Sequence, residues 1–431
     1  MSAAPAEPGA NAGSSLVLVL NAGSTGLKAS LHGPGGACLW RGQRRWQELA
    51  IDQGQGPAPA AGPGSGPQAS PAPAERSPAA DPAGLAVDLA PGTPAGEALA
   101  AWLEQSLAGL ARLTGPAVPA GLAGLTGAAE APPRPAMVAH RVVHGGERFT
   151  APTPLDPTVL EALEALTPLA PLHNGPALAL VRWAGRRWPD LPHWACFDTA
   201  FHADLPPEAR TYAIPAAWRQ QGLRRYGFHG LNHQHVAEVV LERCGRLGRA
   251  GALRLISCHL GGGCSLCAIR DGRSLATTMG FTPLEGLVMA SRSGSVDPGL
   301  LLHQLRRGLG LEELERALQR QGGLLGLSEL SASMEVLRAA AAPPPQGQGH
   351  PGASLAIAVF RRRLLEGIGA MAACLEGVDV IALSGGIGEH DQALRAELQA
   401  SLGWLGPLEL LVVPADEEGV IARSCLAAAA I

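Results

Sequence analysis

The chain has 431 residues, 46% hydrophobic and 16% charged, which is enough for two domains of roughly 150–200 residues with substantial buried cores. A formal net charge of −4 gives no electrostatic footprint for nucleic acid or an anionic membrane, and no apolar run is long enough to span a bilayer. Eight cysteines without a regular framework, and an N-terminus without the basic and apolar segments of a signal peptide, lead us to expect a reduced, cytoplasmic protein.

The run Leu16–Leu20 reads as a buried strand. It enters a Gly/Ser turn at Asn21, passes Ser24 and leaves on a second strand that carries Lys28. Lys28 is the only lysine among 33 basic side chains. A compact ammonium beside a glycine-rich turn suits phosphate, which it grips as a point charge rather than through a planar fork. Residues 53–95 are dominated by Ala, Pro, Gly and Ser, the composition of a flexible surface insertion. Helical spacing resumes over Ala95–Leu113. Strands are predicted at Met137–Val143, Trp194–Phe197, Leu253–Cys258, Cys264–Ile269 and Val378–Leu383. Helices are predicted at Pro157–Leu166, Asn174–Trp188, Leu311–Arg320 and Leu355–Leu375, with a loop over Ala339–Gly352.

This is an α/β pattern in two successive blocks that begin alike. Each opens with a strand, a glycine turn and a returning strand; the second turn is His259-Leu260-Gly261-Gly262-Gly263. A duplicated fold with two phosphate-facing turns across a cleft is the expectation. A third turn, Gly385-Gly386-Ile387-Gly388-Glu389, follows a strand and opens a helix, where backbone amides favour an anion. Neither a Walker P-loop nor a dinucleotide GxGxxG occurs. Cys264 and Cys267 have CxxC spacing, but odd spacing on a strand sends the two thiols to opposite faces, which argues against zinc.

Polar clusters punctuate the apolar background: His140-Arg141-Val-Val143-His144, Pro171-Leu172-His173-Asn174, Asp198-Thr-Ala-Phe-His202, Arg224-Arg-Tyr-Gly-Phe228-His229 and Ser291-Arg292…Asp297. Arginines that neutralise and orient an anion, with a histidine donating to developing charge, form a phosphoryl- or carboxylate-handling set. In order and spacing, HRVVHGG, FDTAFH, RRYGFHG, MGFTPLEGL, SRSG…DPG and GGIGE resemble the acetate kinase family. These are short-chain carboxylate kinases of the actin-like sugar-kinase superfamily, and the likeness runs from about Leu16 to Arg423.

The resemblance implies two duplicated actin-like (ribonuclease H-like) α/β domains around a central cleft. One would comprise 15–200 plus 415–431, with 53–95 as the insertion, and the other 201–414. It implies in-line phosphoryl transfer from ATP to acetate, giving acetyl phosphate and ADP, with Mg2+ (or Mn2+) and a homodimer. Carried over by position, Arg141 and Arg292 hold the carboxylate and the phosphoryl group, His229 donates to its equatorial oxygens, and His173 lies nearby. Asp198 orients an arginine; a carboxylate nucleophile is already ionised, so positioning rather than base catalysis is expected. Asn21 and Glu417 match Mg2+-associated positions, and Val143, Leu172, Phe228 and Pro283 a small acyl pocket. Nucleotide contacts fall on Ser24, Lys28, His259–Gly263, Ser333, Glu335 and Gly385–Glu389.

The departures from the family pattern are Thr25 and Gly26 in the first turn, Gly262 for an Asn, and Ser333 and Glu335 for an Asp-x-Arg pair. They thin the nucleoside contacts and predict an altered donor preference, with another nucleotide or pyrophosphate as alternatives. Propionate or butyrate kinase is the alternative for the acceptor, and a non-catalytic nucleotide-binding protein the alternative outside enzymes.

Overall fold

Strand β1 (Val17–Ala22) is buried along its whole length because apolar layers cover both of its faces. Leu18 and Leu20 pack against Leu99 and Leu103 of the helix Pro94–Ala111 and against Leu180 of the helix Pro171–Arg187. Val17 and Val19 pack against Val420, Ile421 and Cys425 of the helix Glu417–Ala429. Each such side chain contributes about 1.5–3 kcal/mol on burial, so the run of alternating Leu and Val specifies a strand sandwiched by helices. The computed structural model describes residues 16–23, 26–51, 89, 93–111, 134–247, 253–342 and 349–430; Ser24, Thr25 and most of the 53–95 insertion lie outside them.

The remaining strands are β2 (Gly26–His32), β3 (Cys38–Arg45), β4 (Met137–Val142), β5 (Thr153–Pro154), β6 (His193–Phe197), β7 (Arg254–Leu260), β8 (Cys264–Arg270), β9 (Arg273–Thr277), β10 (Val380–Ser384) and β11 (Glu409–Val412). They form two sheets, ordered β3-β2-β1-β4-β6-β5 and β11-β10-β7-β8-β9. In the first, β1 to β3 form an antiparallel meander while β4 and β6 run parallel to β1. In the second, β7 to β9 repeat the meander while β10 and β11 run parallel to β7. The two orders superimpose strand for strand, β5 aside, which is the duplicated α/β architecture expected from the paired glycine turns.

The second sheet is also covered on both faces. Ile256 and Cys258 face Phe360, Leu364 and Ile368 of the helix Pro351–Leu375, and Leu255 faces Val236 and Val240 of the helix Gly230–Arg246. Cys264 belongs to the first of these layers and Cys267 to the second, so the CxxC thiols do point to opposite faces. Two local expectations are corrected. Leu89, within the segment read as a surface insertion, is buried in the first core, and its carbonyl accepts from Arg186. The helix placed at Leu355 begins at Pro351, because the His350 ring accepts from the Ala353 amide and proline suits a first helical turn. Among the described residues no helix is long and apolar enough to cross a membrane.

Candidate active site

Between the sheets lies a cavity of about 570 Å³ whose lining comes from distant parts of the chain. It includes Asn21, Lys28, Arg141, Val143, His173, Asp198, Phe228, His229, His259, Pro283, Arg292 and Glu417, twelve of the residues singled out in the sequence. Most are delivered by a strand end or helix start, whereas Pro283 and Arg292 come from the loop between β9 and the helix Pro298–Arg306. Asn21 and Lys28 are cross-strand partners on β1 and β2, Arg141 sits near the end of β4, and Asp198 follows β6.

Asp198 holds Arg141 in a two-point contact, with Nε donating to Oδ1 at 2.8 Å and Nη2 to Oδ2 at 2.5 Å. The third nitrogen, Nη1, donates to Asn21 Oδ1 at 3.1 Å. Burial opposes the Arg141 charge, but Asp198 and then Glu417 outweigh it and hold the guanidinium more firmly charged than usual. For Asp198 burial is the larger influence and shifts its pKa upward, opposed by Arg141. A bidentate pair of this length is the geometry of a carboxylate, not of an acid, so the pair is ionised. Arg292 differs: burial lowers its pKa, its Nη1 donates to the Pro283 carbonyl at 2.6 Å, and it makes no ion pair among the described residues. A guanidinium so placed has spare donors and uncompensated charge for an incoming anion.

His229 adopts a left-handed conformation (φ 57°), which is uncommon for a residue with a Cβ and is a form of strain that gathers at functional sites. The next residue must be glycine, because a Cβ at Gly230 would lie 2.1 Å from the Asp198 carbonyl, which accepts from the Gly230 amide at 2.9 Å. The strained turn thus ties His229 to the Asp198 segment. Burial, then His259 and Arg292, keep His229 well below the usual histidine range, so the ring is neutral. Burial, then Arg292 and Arg141, push His173 down to about 3. Gly263 closes the other side: a Cβ there would come within 2.8 Å of Arg292 Nη2 and 3.0 Å of His229 Nε2.

Glu417 is a second buried carboxylate of the cavity, besides the arginine-paired Asp198. Burial would raise it, but Arg141, His259 and Lys28 outweigh that and hold it near 2. Asn21 Nδ2 donates to Glu417 Oε2 at 3.3 Å and to Glu418 Oε1 at 2.6 Å. Among the described residues no group of three or more His, Cys, Asp or Glu gathers as a metal cage. Both Asp198 oxygens are spent on Arg141, whereas the ionised Glu417 carboxylate fits a hard cation that keeps most of its water and takes phosphate oxygens, as Mg2+ does.

Other predicted site residues lie outside this cavity lining. Leu172 is on the first turn of its helix, only partly buried, leaving three of the four acyl-pocket residues in the lining. Leu260, Gly261 and Gly262 form the second turn, which abuts the third: a Cβ at Gly385 would lie 2.8 Å from the Leu260 carbonyl. Gly385 needs its φ of +78° to begin the helix Gly385–His390, which carries Gly386, Ile387, Gly388 and Glu389. Glu389 Oε1 accepts from the Gly385 and Ala415 amides, which clamps that carboxylate to the backbone. Ser333 caps the helix Met334–Ala341 by accepting from Val336 N, and Glu335 lies in that helix's first turn.

Several motif residues turn out to be structural. His140 pairs with His193, Asn174 clasps the backbone of His144, and Arg225 pairs with Glu285. His202 bridges Ser274 and the Phe228 carbonyl, and Asp297 caps the helix Pro298–Arg306. Conversely, Gln43, Arg45 and Glu48 line the cavity although no motif marked them. Strand register places two of them: Gln43 pairs with Lys28 and Arg45 with Gly26 across β2 and β3, so both side chains share the Lys28 face, while Glu48 comes from the helix Trp46–Ile51 that follows β3.

A model of the acetokinase family matches residues 130–423. The chain belongs to the acetokinase family. It is 48% identical over 310 residues to the acetate kinase of a Synechococcus strain, a match covering 67% of this chain and 75% of that one. In fold it is similar to the crystal structure of Porphyromonas gingivalis acetate kinase, with a TM-score of 0.71, 28% identity and coverage of 96% and 99% of the two chains. A propionate kinase from Francisella tularensis is equally similar, at TM-score 0.71 and 26% identity over 95% and 98%. The family match begins after β3, so Lys28, Gln43 and Arg45 lie outside it, whereas the structural likeness covers nearly the whole chain. As a member of the acetokinase family, the chain is a carboxyl-group phosphotransferase.

Proposed function

We propose that the chain catalyses reversible transfer of the γ-phosphoryl group of ATP to acetate, giving acetyl phosphate and ADP. The observation that supports this is the convergence on one cavity of Arg141, Arg292, neutral His229 and Lys28 beside the apolar Val143, Phe228 and Pro283. An acetate oxygen forms a bond to the γ-phosphorus as the bond to the β–γ bridging oxygen breaks, and that electron pair leaves on ADP. No proton moves, so catalysis is positioning and charge stabilisation. Arg292, with its spare donors, holds the migrating group. Arg141, aimed by Asp198, holds the acetate carboxylate, and His229 donates to an equatorial oxygen with His173 beside it. Lys28 grips the donor phosphates as a point charge. Mg2+, held through Glu417 near Asn21, would neutralise charge on those phosphates when bound.

The altered donor preference belongs to the same reading. A Cβ at Gly262 meets nothing within 4 Å, so the family's Asn side chain is replaced by open space, and Ser333 spends its hydroxyl on a helix cap. The phosphate grip then carries more of the donor's binding, and GTP or pyrophosphate competes better than in a tight ATP site. Propionate is the second acceptor to consider, since one methylene in an apolar pocket discriminates by only about 1–3 kcal/mol. The division into 15–200 with 415–431 and 201–414 is supported by Val420, Ile421 and Cys425 packing on β1. Exposed Val296, Leu300, Leu302, Leu305 and Leu311 support a homodimer through that surface, to be read from the mass in solution.

The deciding experiment traps acyl phosphate as hydroxamate over a matrix of ATP, GTP and pyrophosphate against acetate, propionate and butyrate. Acetate- and ATP-dependent product is expected. Absence of acid-dependent product with every pair overturns the proposal.

A further inference from the structure

Behind His229 runs a chain of hydrogen bonds that reaches into the second sheet. His229 Nδ1 lies 2.9 Å from Ser265 Oγ, and Ser265 Oγ lies 2.8 Å from His233 Nε2. His233 Nδ1 lies 2.8 Å from Ser257 Oγ. All four side chains are buried, and the last three are fully enclosed. Ser257 is on β7 and Ser265 on β8, while His233 is one helical turn after His229 on the helix that His229 opens.

A hydroxyl has one proton, so Ser265 donates to one ring and accepts from the other. The two imidazoles are therefore coupled, and the chain has only two directions. In the first, Ser257 donates to His233 Nδ1, His233 Nε2–H donates to Ser265, and Ser265 donates to His229 Nδ1. The His229 proton then sits on Nε2. In the second every bond reverses, and the Ser257 proton has no acceptor among the described residues. An unmet donor in a dry core disfavours that arrangement by roughly tenfold or more. The first direction also places the exit proton where it is useful. His229 Nε2 and Arg292 Nη2 both approach the gap left by the missing Cβ of Gly263, so the N–H and the guanidinium face the same space. The neutral state of both rings, enforced chiefly by burial, is what lets a hydroxyl donate to each.

We propose that Ser257, His233 and Ser265 are positioning residues that fix His229 as its Nε2–H tautomer, with that N–H presented to the migrating phosphoryl group. The proposal rests on the phosphoryl-transfer reading of the cavity for its purpose, but not for its geometry. A histidine in the wrong tautomer presents a lone pair to developing negative charge, and the stabilisation it should give becomes repulsion.

The test combines nitrogen-15 NMR of imidazole-labelled full-length protein with kinetics. Wild type should show His229 as the Nε2–H tautomer. Ser265→Ala should lower kcat about 10- to 100-fold, the usual scale for losing a ring-orienting partner, with KM for acetate changed less than about twofold. Its His229 signal should move away from the pure Nε2–H form, and Ser265→Thr should restore both readouts. His233→Gln, whose amide N–H replaces Nε2–H, should retain more activity than His233→Ala. A wild-type His229 found as Nδ1–H overturns the proposal, even if the serine variants do not fold. So does Ser265→Ala with wild-type kcat and an unchanged imidazole spectrum. A wild type with the Nε2–H signature but no acyl phosphate would sink the kinase reading and support the tautomer assignment.

Discussion

Replacing Asp198 by Asn separates the two roles a carboxylate can have in this cavity. The substitution keeps one acceptor for Arg141 Nε but turns an amide N–H₂ toward Nη2, which now donates at 2.5 Å. Two donors cannot share that distance, so the guanidinium must move. A unit-charge pair at about 3 Å with an effective dielectric near 20 is worth roughly 5–6 kcal/mol, and removing one partner of a buried pair typically costs about 3–5 kcal/mol. Arg141 keeps Asn21 and the nearby Glu417 charge, which places the loss at the lower end, about 3 kcal/mol. Urea unfolding should read that loss directly. The hydroxamate assay should show kcat reduced on the order of 10²-fold, because the acetate clamp is misaimed. The pH dependence of the residual activity should keep its wild-type shape, since an acetate nucleophile gives up no proton. Activity within about threefold of wild type at unchanged stability would refute the reasoning. So would loss of the acid limb alone, which would make Asp198 a base.

Three further outcomes are expected. Lys28→Arg should raise the donor KM or lower kcat by about tenfold, since a fork cannot replace a compact ammonium at the turn; steady-state kinetics with varied ATP check this, and near-normal values refute it. Gly263→Ala forces a methyl within 2.8 Å of Arg292 Nη2 and 3.0 Å of His229 Nε2. It should cut kcat at least about tenfold while circular dichroism and melting stay near wild type, and unchanged kcat would contradict the placement of those groups. Acid should destabilise the fold in a defined window. Burial lowers His144 and His202 to about 4, so between about pH 6.5 and 4 the unfolded chain binds protons that the fold refuses. Stability is complete above that window and falls as the pH drops through it, by roughly 3 kcal/mol for His202. Glu417, held near 2, loses its contribution only below about 4.5. Denaturant titrations from pH 7.5 to 4.5 that show flat stability would refute this.

Much of the protein was legible in one dimension because its signals are local. Alternating Leu and Val announce β1, a single lysine after a glycine turn marks a phosphate grip, and the HRVVHGG and RRYGFHG segments carry the family likeness. Residue type at short spacing is enough for each of these. Register and burial are different, since they depend on which strand lies beside which. The pairing of β2 with β3 decided that Gln43 and Arg45 share a face with Lys28, and nothing near them in sequence says so. Packing also sorted residues of identical type in different motifs. His229 faces the cavity while His140 stacks on His193, and Glu417 lines the site while Glu389 clamps backbone amides. The sequence alone determined the chemistry available, the α/β repeat and the family. Only the tertiary structure decided which of those groups are neutral, which are paired and which are free to meet a substrate, because charge state and hydrogen-bond direction follow from burial and from neighbours up to 397 positions away.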